Sequence, residues 1–172
     1  EKHGLKVTQV ATAEAAISLM EPAKPNHNRL DDYDLVITDF YLEGDMTGGD
    51  LLHAIRAKMH MSQQEIPVLV ITSTDDQQTQ IEVFHAGAND FVSKPIVEEV
   101  LIARVRALLL IKHQYDALKK QAEAMRWIAA TDSLTGVRSK RYLVDNGESY
   151  IASPAHQPVW GMLIDIDHFK QI

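Results

Sequence analysis

This 172-residue sequence predicts an α/β fold built on a parallel sheet, and three observations carry the expectation. Short, fully apolar runs alternate with helical patterns through the first hundred residues, and strands that are apolar on both faces belong to parallel sheets covered by helices on each side. The runs end in residues of contrasting chemistry, Asp39, Thr72 and Lys94, and ligands of parallel sheets gather at those carboxyl ends. From about Arg104 the spacing changes to a heptad, which marks a different kind of element.

Residues 5–10 form a short β-branched run expected to be the first strand of the chain. Residues 13–20 have helical spacing, with Thr12 as N-cap. A polar loop with prolines follows over residues 21–32, and the next strand ends at Thr38 and Asp39. Gly48 and Gly49 lead into a helix over residues 50–59 that turns Leu51, Leu52 and Ile55 inward. Pro67 opens a strand over residues 68–71, and Gly87 stops a helix over residues 77–86. Residues 90–93 form a short strand before Lys94 and Pro95.

A helix is expected from Val97 to Ala130, with no glycine or proline to break it and a length of roughly 50 Å at 1.5 Å per residue. Leu108, Ile111, Tyr115, Leu118, Ala122, Met125 and Ala129 step by threes and fours along it. That seam reads as a dimerising stalk, and packing against a further domain is the alternative. Beyond it come a turn at residues 132–136, a helix to about Ala152 and an apolar strand at residues 159–164 that delivers Asp165 and Asp167 to its end. Two carboxylates at a strand end suit a divalent metal.

Composition narrows the function classes. Apolar residues make up 45%, which excludes general disorder, and the lack of cysteine excludes a disulfide scaffold, thiolate zinc and a cysteine nucleophile. No apolar run reaches the roughly 20 residues of a membrane span and no secretory signal opens the chain, so a cytoplasmic protein without a membrane partner is expected. Residues 1–103 carry a formal charge of −10, residues 104–141 carry +6 and residues 142–172 carry −3. An acidic first block argues against a nucleic-acid partner, and the basic stretch reads most simply as a solvated helix face.

Residues 34–39 (DLVITD), 67–73 (PVLVITS) and 86–95 (AGANDFVSKP) resemble a response-regulator receiver domain, a flavodoxin-like fold, over residues 1 to about 110. The resemblance implies that Asp39 is the phosphoacceptor, that Thr72, Phe91 and Lys94 are the switch residues, and that Mg²⁺ is held by Asp39 and the backbone of Tyr41. It also implies a histidine kinase or phosphotransfer protein as partner. The chemistry is coherent: a carboxylate nucleophile can take a phosphoryl group when a lysine and a metal neutralise the developing charge. One departure stands out. Receivers begin with an apolar strand ending in two adjacent acids, whereas this chain opens at Glu1-Lys2-His3-Gly4, similar to the end of the helix that follows. The missing first strand would lie between residues 5–10 and the strand carrying Asp39, and without it poor phosphorylation is expected. Asp31 and Asp32 are no substitute, since they precede that strand.

Residues 132–136 (DSLTG) and 165–170 (DIDHFK), directly after the stalk, resemble the start of a GGDEF-type diguanylate cyclase domain. The resemblance implies Mg²⁺ on Asp165 and the carbonyl of Ile166, and triphosphate near the backbone of His168 and Phe169. Ser139 stands where the family has asparagine, and the Gly-Gly-Asp-Glu-Phe signature is absent from these residues. Gly48-Gly49-Asp50 is a structural imitation of it at a helix start. The expected organisation is a receiver over 1–103, a coiled-coil stalk over 104–130 and the first part of a cyclase domain over 131–172. Together they imply a response regulator that controls a dimeric cyclase joining two GTP into cyclic di-GMP, with a fragment that is itself inactive. The alternative is a receiver that acts without phosphorylation as a dimerisation module for a GGDEF output domain, intact or degenerate.

The remaining signals read as structural. The eight histidines show no metal spacing, Asp75 and Asp76 suit a helix N-terminus, and neither Ser73 nor Ser133 has a histidine base at a triad spacing. Trp127 and Met125 read as packing or dimer contacts rather than a ligand site.

Overall fold

The computed structural model describes residues 4–20, 33–73 and 77–164. They fall into two compact units, one through Lys119 and one from Lys120 onward. In the first, three strands, β1 (Val36–Asp39), β2 (Val68–Thr72) and β3 (Asp90–Ser93), form a parallel sheet in the order β1-β2-β3. Helices α1 (Ala13–Met20), α2 (Gly48–His53), α3 (Gln77–His85) and the start of α4 (Glu98–Ala130) accompany them. Alternate residues of β2 enter separate cores. Val68 and Val70 pack with Leu52, Ile55 and Val83, whereas Leu69 packs with Val92, Val105 and Leu108. A strand buried on both faces explains the unbroken apolar run in the sequence.

Residues 5–10, expected as a strand, form none. Within residues 4–12 the ladder is reduced to one isolated bridge, Thr12 to Glu43. The physical reason lies at β1. The Val36 amide donates to Pro67 O at 3.0 Å and the Phe40 amide to Ile71 O at 2.8 Å, so these residues face β2. The backbone groups of Ile37 and Asp39 therefore point the opposite way. No strand among the described residues pairs with that edge. Thr8, Gln9 and Val10 instead face it across a cleft of about 320 Å³, which leaves residues 5–10 without a ladder partner.

The helix expected over residues 50–59 begins two residues earlier and changes pitch. Thr47 caps it: the Asp50 amide donates to the Thr47 hydroxyl at 3.1 Å and the Thr47 amide to the Asp50 carboxylate at 2.8 Å. Those bonds, the Thr47 amide first, hold the Asp50 carboxyl below its ordinary range. After His53 the chain widens into a π-helical turn, Ala54–Lys58. Such turns are rare and cost regular hydrogen bonding. Here Arg56 compensates: its guanidinium donates to the carbonyls of Met61, Ser62, Ile66 and Gly87 at 3.0–3.2 Å and to Asn89 Oδ1 at 3.2 Å. Asn89 Oδ1 also accepts from the Val68 amide at 2.9 Å, tying this hub to the start of β2. Gly87, at φ +97°, ends α3 beside the Arg56 side chain.

Helix α4 starts one residue later than the sequence predicts and runs unbroken to Ala130. Of the predicted seam, Leu108 is buried in the core of its own unit and Tyr115 is half-buried, with its hydroxyl bonded to Glu65. Ile111, Leu118 and Met125 are exposed.

In the second unit, α5 (Lys140–Ala152) follows a loop and is capped by Ser139, whose hydroxyl accepts from the Tyr142 amide at 3.2 Å. Residues 159–164, expected as a strand, form no regular element, and Leu163 is 98% exposed. The described part of this unit offers no second strand, and a lone strand leaves its backbone groups unpaired. The loop predicted at 21–32, the acids Asp75 and Asp76, and the stretch 165–170 lie outside the described residues. No described helix is long and apolar enough to cross a membrane.

Candidate functional site

Parallel register brings the three strand ends together. Asp39 pairs in register with Ile71, one residue before the end of β2, and Thr72 pairs with Ser93, the last residue of β3. The Lys94 amide then donates to Thr72 O at 2.8 Å, fixing where the lysine leaves the sheet. As a result the Lys94 ammonium forms a hydrogen-bonded ion pair with the Asp39 carboxylate, 55 residues away in sequence. The second Asp39 oxygen accepts from the Tyr41 amide at 3.2 Å. Both charged side chains keep contact with solvent, at 28% exposure for Asp39 and 43% for Lys94, so the pair is reachable from outside. Thr72 is fully buried at the neighbouring strand end.

Phe91 sits further back on β3, half-buried, with its ring edge-on to Phe84 of α3 at 5.5 Å between centroids. The aromatic thus links the strand that precedes Lys94 to a helix at the surface of the sheet. Of the sequence-predicted residues, Asp39, Tyr41 and Lys94 converge directly, while Thr72 and Phe91 stand on the adjoining strands. Asp165, Ile166, His168 and Phe169 lie outside the described residues.

The feature that sequence reasoning missed is Gly48. Its amide donates to Phe40 O at 2.9 Å, and a Cβ built there would lie 2.1 Å from the carbonyl oxygen of Asp39. The start of α2 is therefore pressed against the backbone that carries Asp39. A glycine doublet before a helix signals a turn; only the fold shows that the first glycine is needed for close approach.

Hard divalent ions such as Mg²⁺ take oxygen donors in a near-octahedral shell. The Asp39 carboxylate and the Tyr41 backbone are of the right chemistry. The described residues contain no group of three or more His, Asp or Glu that could hold an ion, so on their own they supply only part of such a shell.

A parallel sheet flanked by helices thus carries an aspartate and a lysine paired at its carboxyl edge. The chain belongs to the response regulator receiver domain family, whose profile matches residues 1–106, and is a two-component receiver. It is 34% identical over 111 residues to the response regulator PleD of Caulobacter vibrioides, covering 63% of this chain and 24% of that protein. It is 43% identical over 77 residues to the regulatory protein VanRB of Enterococcus faecalis, covering 45% of this chain and 32% of that protein. The chain thus spans about a quarter to a third of the length of these curated relatives. Its fold is similar to a putative response regulator from Chloroflexus aurantiacus (TM-score 0.51, 28% identity, 63% of this chain and 80% of that one). It is equally similar to the BeF3-activated receiver domain of RstA from Klebsiella pneumoniae (TM-score 0.51, 26% identity, 63% and 80%).

Proposed function

We propose that this receiver accepts a phosphoryl group on Asp39 from a histidine kinase or phosphotransfer protein, in the cytoplasm and with Mg²⁺. We further propose that through α4 it controls a dimeric diguanylate cyclase domain. The single observation that carries the first half is the exposed Asp39–Lys94 ion pair at the carboxyl edge of the sheet. An Asp39 oxygen attacks the phosphorus of the donor's phosphohistidine, the P–N bond breaks with the donor imidazole as leaving group, and the lysine offsets the negative charge that accumulates on the phosphoryl oxygens. Mg²⁺ would be held by Asp39 and the Tyr41 backbone, lowering the phosphate charge. Thr72 and Phe91 are the residues assigned to respond to the new dianion.

The output half rests on the DSLTG and DIDHFK stretches, with Asp165 and Ile166 assigned to Mg²⁺ and His168 and Phe169 to the GTP phosphates. The dimeric half rests on α4. Ile111 (41% exposed), Leu118 (66%) and Met125 (60%) recur every seven residues, the repeat of a helix seam that pairs with a second copy. Leu118→Arg is expected to remove about 2 kcal/mol per chain of seam burial and to shift the protein from dimer to monomer in sedimentation velocity at fixed concentration. An unchanged dimer in that variant contradicts the seam.

A receiver that dimerises without being phosphorylated is the second reading, and it fits described residues in which no group of three or more His, Asp or Glu could hold an ion. Cyclic di-GMP formation by the full-length protein separates the two. The primary reading expects product that rises with a small phosphodonor and does not rise in Asp39→Asn. Product indifferent to the donor leaves the scaffold reading.

A further inference from the structure

The segment between α4 and α5 is closed on itself. The Asp132 amide donates to Val137 O at 2.8 Å, the Gly136 amide to Asp132 O at 2.9 Å and the Ser139 amide to Ala130 O at 2.8 Å. The Asp132 carboxylate accepts from the Thr135 hydroxyl at 2.8 Å and from the amides of Thr135 and Leu134 at 2.9 and 3.2 Å. The Thr135 bonds, hydroxyl first, keep the Asp132 carboxyl below its ordinary range. The Thr131 hydroxyl donates to Trp127 O at 2.8 Å, fastening the loop to the last turn of α4.

None of these bonds uses the Arg138 side chain. Its guanidinium carbon instead lies 4.9 Å from the centroid of the Trp127 ring on α4 and 4.4 Å from that of the Tyr142 ring on α5. Each distance is that of a cation held over an aromatic face. Helix α5 buries none of its own residues, so its orientation at the end of α4 is not set by a packed core. A contact that bridges the two helices therefore carries weight here that it would not carry inside a domain.

We propose that Arg138 is a conformational clasp: by lying over the Trp127 and Tyr142 rings together it holds α5 to the C-terminal end of α4, so that a rotation of α4 reaches α5 instead of being absorbed by the loop. The signalling value of the clasp rests on the proposed control of an output domain through α4; the clasp itself does not.

The chain has no cysteine, so Glu123→Cys on α4 and Glu148→Cys on α5 accept a pair of spin labels without background. Electron–electron double resonance on the full chain is expected to give one narrow distance with Arg138 in place. In Arg138→Gln the population outside that distance rises about tenfold, the amount that two exposed cation–π contacts supply. Arg138→Lys keeps the charge over the rings and restores most of the narrow peak. A Gln variant as narrow as the parent, or a Lys variant as broad as Gln, overturns the proposal. If Arg138→Gln lowers the helix content measured by circular dichroism, Trp127→Leu, which lies outside α5, decides instead: broadening supports the clasp and a narrow peak refutes it. Because no cyclase activity is read, failure here leaves the proposed function standing.

Discussion

Replacing Arg56 with alanine is expected to lower the stability of the receiver unit by about 4 kcal/mol. The guanidinium donates to four backbone carbonyls and to Asn89, all in the stretch where the π-helical turn, the loop before β2 and the turn after α3 meet. Each carbonyl stripped of its donor costs about 1–3 kcal/mol when water cannot replace it, and the half-buried setting lets water replace some. Burial already pushes the guanidinium down to about 10, still charged at neutral pH. Arg56→Lys is expected to recover little, because a compact ammonium cannot span carbonyls that a planar fork reaches together. Urea denaturation checks both variants: the midpoint should fall while the slope is unchanged. A loss under about 1 kcal/mol in Arg56→Ala would show that the hub is replaceable by water.

Gly48→Ala is expected to damage site and fold together. The added Cβ would stand 2.1 Å from Asp39 O and 3.0 Å from Asp39 C and Phe40 Cα, all backbone atoms that cannot rotate away. Overpacking of this kind costs about 3 kcal/mol, and the displaced strand end carries Asp39 with it. Phosphorylation is expected to slow by about 100-fold, since displacements near 1 Å have that effect on aligned reacting groups. Gly49→Ala is the control. Its Cβ would meet Thr47 Oγ1 at 3.4 Å and the Phe40 ring at 3.5 Å, ordinary contacts, so stability stays within about 1 kcal/mol. Equal damage from both alanines would contradict the close approach at Gly48.

How far the sequence reveals this molecule depends on the range of the interactions involved. β3 is legible to the residue and α4 to within one, because apolar runs and an unbroken helical period are local signals. The meeting of Asp39 and Lys94 is also legible, since strands that end in register deliver their last residues to one edge. The strand expected at residues 5–10 failed for the opposite reason: a strand is a property of a pair, and the described chain provides no partner beside β1. The run at 159–164 fails in the same way. The Arg56 hub joins residues up to 33 apart through side chain-to-carbonyl bonds, and no local pattern announces such bonds. The clasp is a middle case. Trp127, Arg138 and Tyr142 are close in sequence, yet only the closed loop between the helices places their rings and charge together.

Peptide mass spectrometry decides whether Asp39 is the residue that becomes phosphorylated. The full-length protein is incubated with an acyl phosphate donor and Mg²⁺, digested, and searched for a single hydroxylamine-labile phosphoryl group. That group is expected on the peptide containing Asp39, absent in Asp39→Asn, and markedly decreased in Lys94→Ala, where the charge on the phosphoryl oxygens is no longer offset. A folded protein that stays unmodified, or that carries the label on another residue, would contradict it.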